Sequence, residues 1–76
     1  MTTPLRLARQ RRGMSLFKVA LITGINQADI SRIERGRQTP SPEVAAALAQ
    51  VFAPDVTELH IYYPERYADQ AVTPGG

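Results

Sequence analysis

Apolar residues recur at helical rather than alternating spacing along most of the chain, and helix caps mark the gaps between them. Leu5 and Ala8, three apart, give a thin apolar face to a first helix predicted over about 4–12, with Thr3 as N-cap, Pro4 in the first turn and Gly13 as the stop. Ser15 caps a second helix that runs to Thr23, where Gly24 supplies a left-handed stop. The third begins almost at once. Asn26 is its N-cap, Asp29 favours the dipole at the third helical position, Ile25 and Ile30 occupy the two positions of a hydrophobic staple, and Gly36 ends it. Ser41 and Pro42 then start a fourth helix carrying Val44, Leu48, Val51 and Phe52, interrupted by Pro54. Asp55 and Glu58 have capping-box spacing for a short fifth helix that Pro64 should end. Ile61, Tyr62 and Tyr63 favour extended structure as much as helix, so a strand is the alternative there. The pattern predicts an all-α, five-helix domain over 1–67 and a flexible tail over 68–76.

Composition narrows the function classes. A chain of 76 residues holds one small core and no deep catalytic cleft. With no cysteine and a single histidine, His60, it has no thiolate or zinc chemistry. His60 sits near Tyr62 and Tyr63 in an acidic half with no nucleophile motif, and Gly75 and Gly76 form a tail rather than a phosphate loop. Neither an enzyme nor a cofactor is therefore expected. Apolar runs are only a few residues long and the N-terminus lacks the zones of a signal peptide, so a soluble, cytoplasmic protein without a membrane contact is expected.

The net charge of +2 conceals a strong asymmetry. Residues 1–37 carry eight basic side chains against two acidic ones, whereas 38–76 carry one basic against five acidic. A polyanion on one side, and a different task for the other, fits this segregation.

Ala20, Gly24, Ile25, Ile30 and Ile33 have the spacing of a helix-turn-helix: a small residue for close approach, a glycine to turn the chain, and three apolar residues to lock the angle. Such a pair of helices projects the outer face of the second, which can then enter a major groove. With the phrases ISRIERG at 30–36, PS at 40–41 and LAQVFAPDVTEL at 48–59, the stretch from Gly13 to Leu59 resembles the phage-repressor, Cro and Xre-like helix-turn-helix family. That resemblance implies a lambda-repressor-like domain of bacterial or phage origin. It also implies a homodimer on a two-fold symmetric operator in double-stranded DNA.

Carried over residue by residue, the resemblance places Gln27, Ala28, Ser31 and Arg32 at the base-reading positions of the third helix. Their chemistry agrees: Gln27 suits adenine, Arg32 suits guanine and Ala28 suits a thymine methyl. Arg35 and Arg37, at the helix end, are expected on phosphates, together with Arg12 and Lys18. Arg9 and Glu34 match the positions of an ion pair between helices one and three.

The sequence departs from the family at three places. Leu16 stands where a glutamine often touches phosphate, and Thr23 where a larger apolar residue is usual. Phe17 and Leu21 make an apolar stripe on a face that is usually polar. Packing against the chain's own C-terminal segment is the expected cover for that stripe, and a protein partner, as in an antitoxin-like regulator, is the alternative. A non-DNA-binding adaptor is a further alternative, opposed by Gln27, Arg32, Arg35 and Arg37. Leu59, Ile61, Tyr62, Tyr63 and Tyr67 are too apolar for a short exposed terminus and form the expected dimer interface.

Overall fold

A computed structural model describes residues 2–67, and the tail expected over 68–76 lies outside them. The described residues form six helices: α1 (Pro4–Arg11), α2 (Leu16–Thr23), α3 (Gln27–Glu34), α4 (Pro42–Val51), α5 (Glu58–Tyr62) and α6 (Pro64–Tyr67). Side-chain caps start the first four. Thr3 Oγ1 accepts from the Arg6 N–H at 3.4 Å, Ser15 Oγ from Lys18 at 3.0 Å, Asn26 Oδ1 from Ala28 at 2.8 Å and Ser41 Oγ from Val44 at 3.3 Å. Each cap satisfies one N–H that the first helical turn leaves without a partner.

Two glycines set the direction of the chain around α3. Gly24, at φ 75°, turns it between α2 and α3, and its N–H donates to the Ala20 carbonyl at 2.8 Å. The hydroxyl of Thr23 ties the same turn, donating to the Val19 carbonyl at 2.8 Å and accepting from the Ile25 N–H at 3.2 Å. Thr23 thus contributes hydrogen bonds where a larger residue would contribute packing. At the other end Gly36, φ 73°, lets its own N–H reach Ile33 and that of Arg37 reach Arg32, a Schellman closure.

The core gathers one face from each of the first five helices. Leu5 and Ala8, Val19, Ile30 and Ile33, Ala45 and Leu48, Phe52, Val56 and Ile61 are all buried together. Full burial of a side chain such as Phe52, Ile30 or Leu48 contributes about 1.5–3 kcal/mol, and Leu5, Ile33 and Ile61 are buried to a similar degree.

The C-terminal end differs from the sequence-based expectation in three ways. The fifth helix is capped by Thr57, not Asp55: Thr57 Oγ1 accepts from the His60 N–H, while His60 Nδ1 accepts from the Thr57 N–H at 3.1 Å. A neutral imidazole nitrogen accepts as a glutamine oxygen does, so histidine completes the reciprocal box. Ile61–Tyr63 is not a strand, because the first two of these residues continue α5. Pro64 ends that helix but also opens α6, since its fixed φ and missing N–H suit a first helical position.

Candidate nucleic-acid interface

The outer side of α3 presents Gln27, Ala28 and Arg32 as exposed residues and Ser31 as a half-buried one. Positions i, i+1, i+4 and i+5 of a helix share one stripe. The opposite side carries buried Ile30, Ile33 and Glu34, so the helix is fixed from behind while this stripe faces outward.

Glu34 is the anchor. Arg9 donates to it twice, from Nε to Oε2 at 2.7 Å and from Nη2 to Oε1 at 3.1 Å, and donates from Nη1 to the Met14 carbonyl at 2.8 Å. The hydrogen bonding to Glu34 raises the Arg9 pKa above its ordinary value against the opposing effect of burial, and the carboxylate charge adds to the rise. Glu34 is also held through its backbone, whose carbonyl accepts from the buried Thr3 hydroxyl. Sequence reasoning assigns Thr3 only to the α1 cap; this second bond spans 31 positions and leaves no local signature.

Arg12, expected on a phosphate, makes internal contacts. Its Nη1 donates to the Val51 carbonyl at 2.7 Å and its Nη2 to the Ala53 carbonyl at 3.1 Å and to Asp55 Oδ2 at 3.2 Å. The guanidinium also lies 5.4 Å from the centre of the Phe52 ring. Carbonyls at the end of α4 lack helical partners and attract a cation, so Arg12 fastens the end of α1 to that terminus.

Lys18, Arg35 and Arg37 have exposed side chains. Arg35 curls back along α3, donating from Nη2 to Ser31 Oγ at 3.0 Å and from Nε to the Ser31 carbonyl at 3.3 Å. With Arg6, Leu16, Ser31 and the Arg9–Glu34 pair it lines an open cleft of about 200 Å³ beside α3. Leu16 is half-buried and packs against the core from this cleft.

Arg32 is held in place. Its Nε donates to Gln38 Oε1 at 2.8 Å and its Nη2 to Asp29 Oδ1 at 2.7 Å. The spacing of Asp29 and Arg32, three apart on a helix, is a readable sequence signal for this pair. Gln38, reached across the turn at Gly36, has no such signal.

The remaining expected surfaces fare unevenly. Phe17 and Leu21 are 60% and 65% exposed and Ile22 is 53% exposed, so the described residues provide no cover from the C-terminal segment. Among the described residues, α5 instead packs against α4 and α1, with Ile61 buried there, and α6 follows on α5 through Pro64. Ile61 is itself a core residue at 2% exposure, which removes it from the expected dimer surface. Tyr62 packs against the core, and Tyr67 meets the His60 ring edge-on with centroids 4.6 Å apart. Leu59 and Tyr63 stay exposed. No helix among the described residues is long and apolar enough to cross a membrane.

Two helices joined by a glycine turn, the second locked from behind and presenting a polar stripe flanked by arginines, define a helix-turn-helix domain. The chain belongs to the helix-turn-helix domain family, whose model matches residues 3–60, and is a DNA-binding regulator of that type. No curated protein and no solved structure matches it.

Proposed function

We propose that the protein is a sequence-specific transcription regulator that binds double-stranded DNA as a homodimer and represses by occluding a promoter. The observation that carries this reading is the outward stripe of Gln27, Ala28, Ser31 and Arg32 on a helix fixed by Arg9, Thr3 and Glu34. Gln27 and Arg32 read base edges, while Lys18, Arg35 and Arg37 contact phosphates on either side. One such helix reads too few bases for a specific site, so two copies reading a palindrome complete the recognition. Leu59 and Tyr63, exposed beside Tyr62 and Tyr67 in the acidic half, offer the contact between copies. The setting that fits is the cytoplasm of a bacterium, with the gene on a bacterial or phage genome. The domain spans 1–67, and its C-terminal helices serve the dimer. Selection of bound sites from random duplex DNA, followed by footprinting, tests the reading: two inverted half-sites about 34 Å apart are expected, and a single asymmetric site would overturn the dimer.

An additional protein partner is favoured by one observation, the exposed Phe17 and Leu21 on α2. A Phe17→Asp, Leu21→Asp protein that occupies its operator normally but fails to regulate a reporter in cells would support a partner protein on this face. Unchanged regulation would remove it.

A further inference from the structure

We infer that Asp29 and Gln38 are positioning residues that hold Arg32 as a pre-formed reader of a guanine. The inference rests on the base-reading role proposed for Arg32 and explains how its specificity is set. A guanidinium has five N–H donors in a planar fork. Two are engaged: Nε–H by Gln38 and one Nη2–H by Asp29, at 2.8 Å and 2.7 Å. Both hydrogens of Nη1 and the second of Nη2 have no protein acceptor among the described residues. Nη1 and Nη2 together form the end of the fork, whose paired donors match O6 and N7 of guanine.

The two supports come from different places. Asp29 lies one helical turn before Arg32 on α3, and Gln38 lies beyond the Schellman turn, so the long side chain is braced from both directions. A flexible arginine loses rotamer freedom when it binds a base, and one already braced loses less. Asp29 also offsets the positive charge of Arg32, which weakens attraction to phosphates of any sequence while leaving the donors directed at a base. Carboxylate and amide together therefore raise the ratio of specific to non-specific binding. Asp29 is half-exposed, at 38% of its side chain, and lies outside the core.

The test compares the wild type with Arg32→Ala, Asp29→Ala, Asp29→Asn and Gln38→Ala on one library of random-core duplexes at fixed salt, with base preferences resolved position by position. Thermal melting is followed in parallel. Arg32→Ala should erase the guanine preference at one position of each half-site. Asp29→Ala and Gln38→Ala should each weaken that same preference by roughly three- to tenfold, without altering the positions read by Gln27. Asp29→Asn, which keeps an acceptor oxygen, should lie between Asp29→Ala and the wild type. Binding of Asp29→Ala to a duplex of unrelated sequence should be equal to or stronger than that of the wild type. If Arg32→Ala loses the guanine preference while Asp29→Ala and Gln38→Ala retain it in full, the positioning role is wrong and the base-reading role stands. If Arg32→Ala also retains it, both are wrong. A uniform loss at every position in Asp29→Ala, with a lower melting temperature, would make Asp29 a structural residue and overturn the inference.

Discussion

Thr3 at the start of α1 and Glu34 at the end of α3 lie 31 positions apart and meet in the interior, the threonine hydroxyl donating to the glutamate carbonyl. The same glutamate receives the Arg9 fork through its side chain. A single residue at the end of α3 is therefore fixed twice by α1, once by its backbone and once by its carboxylate. Both bonds tie the end of α3 to α1, so α1 helps hold the helix proposed to read bases although it carries none of those residues.

Removing the Glu34 carboxylate should loosen that anchor. With Arg9 and Glu34 side chains only 15% and 5% exposed, Glu34→Ala leaves a mostly buried guanidinium without its partner. We expect a loss of about 3 kcal/mol in urea unfolding, together with weaker binding to all duplex sequences alike. Unchanged stability would remove the pair from the anchoring role.

Arg12 and Arg37 should separate cleanly. Arg12→Ala loses the donors at the end of α4 and the contact with the Phe52 ring, and should cost about 1–2 kcal/mol of stability with little effect on the salt dependence of DNA binding. Arg37→Ala should melt normally and lower the log-log salt slope by about 1. The opposite pattern, a normal melt for Arg12→Ala and a reduced slope, would return Arg12 to the DNA.

The C-terminal helices invite a test of the dimer by point substitution. Truncation before His60 would delete Ile61, a core residue, and would confuse unfolding with dissociation. Leu59→Asp and Tyr63→Asp should fold and sediment as monomers at micromolar concentration, with greatly weakened operator binding. Ile61→Ala should instead lower stability by about 2–4 kcal/mol. Dimeric sedimentation of the double variant Leu59→Asp, Tyr63→Asp would exclude this interface.

What could be read from the sequence follows from the range of each interaction. Ser15, Asn26, Ser41, Gly24 and Gly36 act on their own neighbours, so their residue types and spacing were enough to place α2, α3 and α4. Asp55 and Glu58 satisfied the same local rule and misled, because Asp55 is engaged by Arg12 from α1 and Thr57 takes the cap. Arg12 itself could be read only as a charge, since its partners are about forty positions away. Ile61 lay in a helix too short for its periodicity to separate a core face from an exposed one, and the exposed Leu59 two positions earlier gave no contrast. Within the proposed site, the stripe on α3 was legible from helical spacing and chemistry, whereas the brace from Gln38 depends on how the chain turns at Gly36.

The central claim, that the outer face of α3 reads DNA sequence, is tested most directly by comparing the base preferences of the wild type and Arg32→Ala on duplexes selected from a random library. The wild type should select a two-fold symmetric site. Arg32→Ala should lose about 1–3 kcal/mol of discrimination at one base position in each half-site, keep its preferences elsewhere and melt as the wild type does. Identical rank order of all sites for the two proteins, or selection of no sequence at all by the wild type, would contradict the claim.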